Sequence, residues 1–103
     1  MKLLRVGDKG NEIPAIIDKN NNFRDLSSVV KDFTPDTLNF KTIDKIKKIN
    51  ILNLPILNSA KRIGPCVANP SKFIGIGLNF KDHAEEQNLP TPKEPIIFSK
   101  FTN

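Results

Sequence analysis

Turn-forming residues cut this chain into short pieces, and a fold with long uninterrupted elements cannot be built from it. Pro35, Pro55, Pro65, Pro70, Pro90, Pro92 and Pro95 each lack a backbone donor and fix φ, so each bars a helix or central-strand interior. Asp8-Lys9-Gly10-Asn11 and residues 18–22, with three consecutive asparagines, are turn clusters. Between them, residues 2–6 and 13–18 read as two strands of a hairpin, and Phe23 enters a further short segment. Asp25 or Ser27 is placed to cap a helix start at residues 25–30, and Thr34-Pro35-Asp36 is a second start signal. Ile43, Ile46 and Ile49 recur every three residues among lysines and Asp44, the pattern of a short amphipathic helix. Residues 50–58 read as extended and irregular. Residues 73–78, Phe-Ile-Gly-Ile-Gly-Leu, fit a buried strand ending in a tight turn. A short helical piece over 82–87, a proline-rich loop over 88–95 and a buried strand at 96–98 follow. The expected class is α+β, mostly β, with a small α+β domain at 1–60, a linker at 61–72 and the start of a second domain at 73–103.

Charge and cysteine use narrow the function. The net charge is +5, and residues 1–72 hold thirteen Lys/Arg against seven Asp/Glu, whereas residues 73–103 hold three against four. Trp and Tyr are absent, and Phe73, Phe80, Phe98 and Phe101 lie in the acidic part. Basic residues and stacking rings are therefore not interleaved, which argues against a nucleic-acid partner. Lys41, Lys45, Lys47 and Lys48 read as a solvated helix face. Cys66 is the single cysteine, so no internal disulfide forms, and without a neighbouring histidine it reads as a small apolar filler. No apolar run resembles a signal peptide or a membrane span, so the default expectation is a cytoplasmic protein with no membrane partner.

The chemistry concentrates in one run. Gly75-Ile76-Gly77 fails as a dinucleotide fingerprint because Phe80 stands where the third glycine is needed. The run Asn79-Phe80-Lys81-Asp82-His83-Ala84-Glu85-Glu86 contains the only histidine. On a helix Glu86 shares a face with His83, three residues away, and Glu85 does not. A carboxylate beside an imidazole holds one tautomer and favours the protonated form, the arrangement of a general base acting on water near neutral pH. The same pair also occurs as a plain exposed helix contact.

Residues 72–86, Lys-Phe-Ile-Gly-Ile-Gly-Leu-Asn-Phe-Lys-Asp-His-Ala-Glu-Glu, resemble the opening of the catalytic domain in the fumarylacetoacetate hydrolase family. The family form is a buried strand, then Gly-Leu-Asn-Tyr, then a helix bearing His and Glu. Lys93-Glu94-Pro95-Ile96-Ile97-Phe98-Ser99-Lys100 resembles the next family segment. Residues 1–6, 13–18 and 24–27 look like the small N-terminal domain of the bacterial isomerase and ureidoglycolate-lyase-like branch, and Arg62-Ile63-Gly64-Pro65 looks like the join. Phe80 replaces the family tyrosine and removes a hydroxyl.

The resemblance implies a β-roll-like catalytic domain, of which only the first strands correspond to this chain, usually paired into homodimers. It implies Mg²⁺ or Mn²⁺ held by a downstream Glu-x-Glu pair and a further Asp, so no metal ligand is expected in these 103 residues. It implies a small 2-oxo or 2-hydroxy-dienoic acid as substrate, with His83 as base and Glu86 as its orienting partner. Asn79 and Lys100 are candidates for holding substrate oxygen, and Lys100 reads equally as a lysine at a strand end. Hydrolase, isomerase, decarboxylase and lyase chemistry all remain open. The alternative is a non-catalytic fragment or packing module that lacks the metal site.

Overall fold

A computed structural model of the chain describes residues 1–58, 62–90 and 92–101; at 81, 83 and 84 it describes the helical backbone without the side chains. The protein is a small, mostly β, α+β fold in two compact units, Met1–Asn69 and Pro70–Asn103.

The first unit is an antiparallel sheet carrying one helix. Strands β1 (Leu3–Val6), β2 (Ile13–Ile17), β3 (Phe23–Asp25) and β4 (Ile56–Leu57) lie in that order. The turn clusters set the register. Gly7 takes φ +133, and β1 then pairs with β2 so that Leu3 faces Ile16 and Leu4 faces Ala15. At the second turn the Asp18 carboxylate accepts hydrogen bonds from the Asn20 and Asn22 backbone N–H groups, while Asn21 supplies the left-handed residue at φ 63. Arg24 Nε closes the arrangement with a 2.8 Å bond to the same carboxylate.

Alternation along the strands divides the apolar residues between two clusters. Ile16, Leu26, Val30, Phe33 and Ile46 form one, with Leu3 and Ile49 packed against it. Leu4, Val6 and Ala15 form the other. Ile46 reaches the first cluster from helix α1 (Phe40–Lys48), whose isoleucine stripe turns inward as its spacing requires. Asn39 caps this helix by accepting from the Thr42 N–H.

Two expected helix starts become single turns. At Thr34 the Thr37 hydroxyl accepts from the Thr34 N–H and donates to the Asp32 carbonyl, so the chain closes locally before α1 begins. At Leu26 the carbonyl accepts from both Val29 and Val30 N–H groups and the turn goes no further. The irregular stretch after α1 contains a 3-10 turn, Ile51–Asn53, and the short strand β4, which pairs with β3.

Residues 62–68 belong to the first unit, and the boundary between the units falls after Asn69. Gly64 N–H donates to the Arg5 carbonyl, Gly7 N–H to the Arg62 carbonyl and Ala68 N–H to the Phe33 carbonyl. At Gly64 a Cβ would stand 2.8 Å from the Glu12 side chain, so a larger residue there would have to displace that glutamate. Cys66 is exposed; the small residue that fills space here is Ala68.

The second unit is a hairpin with an inserted helix. Strand β5 (Phe73–Gly77) pairs antiparallel with β6 (Ile96–Lys100), and helix α2 (Lys81–Glu86) lies between them in sequence. Both strands were expected to be buried. Instead β6 is exposed along its length, as are Phe73, Ile74 and Ile76 of β5. A two-stranded sheet has no second layer of its own to bury either face.

Two outcomes test this account. Phe33→Ala, which empties the centre of the first cluster, should cost about 3–5 kcal/mol in urea unfolding followed by far-UV dichroism. The second concerns Asp18. Burial opposes its ionisation, but Arg24 and the Asn22 and Asn20 N–H groups outweigh it and hold its pKa at about 2, against an ordinary 3.8. Its contribution is therefore complete above pH 3.8 and is lost as the pH falls toward 2. Asp18→Asn should melt several degrees lower at pH 7, and the difference from the parent should close across that acid window.

Candidate functional site

Three of the four expected site positions, 79, 83 and 86, follow strand β5 at the Gly77 end of the β5–β6 hairpin. Gly77 ends β5, and Leu78 then takes φ 48. A leucine in the left-handed region carries steric strain that glycine would not. The strand ends there, and Phe80 stands at the N-cap of α2 without a side-chain cap bond. Asn79 lines a cleft of about 260 Å³ with Gly77 and Leu78 on one side and residues 92–95 on the other. Lys93 and Glu94 therefore share the cleft with Asn79, a neighbourhood formed by the loop and not readable from local spacing.

Helix α2 carries positions 83 and 86 one turn apart on the same side of its backbone, with position 85 rotated away. The His83 side chain is outside the described residues; Glu86 is exposed. Asn88, at φ 53, ends the helix, its N–H donating to the Glu85 carbonyl as a left-handed C-terminal cap does.

Lys100 stands elsewhere. It pairs across the hairpin with Phe73, whereas Gly77, next to Asn79, pairs with Ile96. Four residues of strand separate the two ends, about 13 Å at the usual rise. The Lys100 ammonium lies 5.9 Å from the ring centres of both Phe73 and Phe98. That is cation–π distance, and it occupies the lysine with the hairpin's own rings. Phe98 in turn lies over Gly75, where a Cβ would come within 2.4 Å of the ring, so this glycine makes room for an aromatic across the strand pair.

Among the described residues no three or more His, Cys, Asp or Glu side chains are grouped so as to hold a metal ion. No described helix is long and apolar enough to cross a membrane.

No protein-family model matches the chain. The chain is similar along its whole length to longer bacterial proteins. It is 47% identical over 103 residues to a protein of Burkholderia ambifaria named "Putative hydrolase". It is 46% and 45% identical, over the same span, to proteins of Burkholderia lata and Burkholderia multivorans that bear the same description. In each case the match covers all of this chain and 36% of the relative.

The strain at Leu78 makes a local expectation. Leu78→Gly should relieve about 1 kcal/mol, and amide exchange at Ile76 and Gly77 should slow by about threefold to fivefold. Leu78→Val, with a branched β-carbon in the same conformation, should speed it. Exchange unchanged in both variants would mean that Leu78 holds no strain.

Proposed function

We propose that this chain is the amino-terminal part of a divalent-metal-dependent enzyme acting on 2-oxo or 2-hydroxy-dienoic acids. The reaction is carbon–carbon bond hydrolysis or enol–keto isomerisation, with hydrolysis preferred. The observation that carries the hydrolase part of this reading is the 45–47% identity, along all 103 residues, to proteins named "Putative hydrolase"; the metal and the substrate class rest on the resemblance of residues 72–86 and 93–100 to the fumarylacetoacetate hydrolase family. The α2 backbone supports the assignment of roles, because it gives positions 83 and 86 a common side immediately after the Leu78 turn.

In this reading His83 removes a proton from water, the hydroxide formed attacks a substrate carbonyl, the adjacent carbon–carbon bond breaks with its electron pair leaving as an enolate, and that enolate takes up the proton at carbon. Glu86 accepts a hydrogen bond from the other ring nitrogen, keeps the correct tautomer and stabilises the imidazolium once the proton has moved. The Asn79 amide donates to a substrate oxygen in the cleft. Lys93, in that cleft, is better placed than Lys100 to meet a substrate carboxylate. The described residues do not fit Mg²⁺ or Mn²⁺ on their own, so such an ion takes its ligands from elsewhere in a longer protein.

A second reading, a packing module without catalysis, is favoured by one observation: every buried residue described lies in Met1–Asn69. Kinetics separate the two readings. In a form of the protein as long as the Burkholderia relatives, His83→Ala should lower turnover of a 2,4-dioxo acid by about 10²–10⁴, the usual weight of a positioned acid–base group. Glu86→Gln should lower it less, because the amide still orients the ring without stabilising its charge. Glu85→Gln should leave turnover near the parent value. Full activity of His83→Ala would remove the pair from the mechanism.

A further inference from the structure

A second concave feature lies in the first unit and plays no part in the reaction proposed above. Between the sheet and α1 is a cleft of about 510 Å³, within the range of small-molecule sites. Ile46, fully buried, forms part of its lining, together with Ile17 from β2, Ile49 from the end of α1 and Leu52 from the 3-10 turn. Leu52 is 45% exposed, a large apolar side chain turned to water in a lining that holds four isoleucines. Two exposed lysines also line the cleft, Lys19 from the sheet side and Lys47 from the helix side.

The charges nearby leave these lysines available. The lining carboxylate, Asp18, is engaged by Arg24 and by the N–H groups of its own turn. Lys47 has Asp44 3.6 Å away, but both side chains are about 60% exposed, and a solvated pair of this kind holds a lysine weakly. The carbonyl ends of α1 also lie at this end of the helix and repel an anion placed on its axis. An anionic group is thus directed toward the lysine ammonium groups, away from the helix end. Apolar lining and cationic edge together select a ligand with a hydrocarbon body and one negative head.

We propose that the cleft between β2 and α1 binds a small amphiphilic carboxylate, with its tail against Ile17, Ile49 and Leu52 over the buried Ile46 and its head between Lys19 and Lys47. Octanoate is the probe, with 1-octanol as its neutral counterpart, titrated into the full chain and followed by calorimetry and amide chemical shifts. Octanoate should shift residues of β2 and α1 and bind about three- to tenfold more tightly than octanol, the weight of two solvent-screened charge contacts. The double variant Lys19→Glu, Lys47→Glu should remove that advantage and leave octanol binding unchanged. Leu52→Asp, at an exposed position, should abolish binding of both probes with the far-UV dichroism intact. Ile97→Asp, on the exposed hairpin, should change nothing.

Equal affinity for the two probes would overturn the proposal, as would octanoate binding that survives the lysine reversal. Loss of binding in Ile97→Asp would move the site to the hairpin. Sedimentation showing a dimer of the chain that Leu52→Asp converts to monomer would assign the cleft to a second copy, and no octanoate shifts at millimolar concentration would leave it without the proposed ligand.

Discussion

The Arg5 guanidinium joins three parts of the first unit through side-chain contacts, alongside the backbone bonds that already bring them together. Its Nε and Nη2 donate to the two oxygens of Asp32 at 2.7 and 3.0 Å, a forked pair across 27 residues of sequence. Its Nη1 donates to the Pro65 carbonyl, and Glu12 stands 3.6 Å from Nη2. Glu12 passes the connection on to Arg62 through a 2.7 Å contact, and that contact draws its own carboxyl below the usual range. Strand β1, the turn before α1 and the returning segment at 62–65 are thereby held on one charged network. A buried arginine is tolerated only when its donors are met, and here the geometry is forked and the surroundings are polar enough to meet them. Asp32 of this network adjoins Phe33, whose N–H donates to the Asp32 carboxylate, whose carbonyl accepts from Ala68 and whose ring lies in the core.

The two units are built on different economies of burial. The first has a sheet with an apolar cluster on each face and a helix over one of them. The second has a hairpin whose apolar side chains are exposed, with contacts that are local: Phe98 over Gly75, Lys100 over two rings, Leu78 bent into a turn. The proposed catalytic positions belong to this second, lightly held unit. The groups that fix the fold belong to the first.

What the sequence reveals follows from how local each signal is. The β1–β2 hairpin, the amphipathic α1, strand β5, helix α2 and strand β6 were all legible, because their patterns repeat within a few residues. Strand β4 was not, since two residues of strand exist only through pairing with β3, more than thirty positions earlier. The helix expected from Thr34-Pro35 was lost to a hydroxyl that Thr37 offers to its own turn. Residues 61–72 read as a linker from their glycine and prolines, yet Arg5 and Glu12 draw part of that segment onto the sheet. In the candidate site the three-residue spacing of His83 and Glu86 was readable on a helix. The left-handed Leu78 and the arrival of Lys93 beside Asn79 were not, because both depend on how the chain turns at Gly77 and returns through residues 92–95.

The open hairpin has a consequence for how the protein keeps company with itself. Ile96, Ile97 and Phe98 form a short β-prone run without charge, the kind of segment from which ordered stacks of strands grow. It is flanked by Pro95, which offers no N–H to an incoming strand, and by Lys100, whose charge would be repeated at every layer of such a stack. Accretion is thus opposed at both ends of the run. The lysine that clasps the rings of Phe73 and Phe98 within one molecule is, between molecules, a guard against polymerisation.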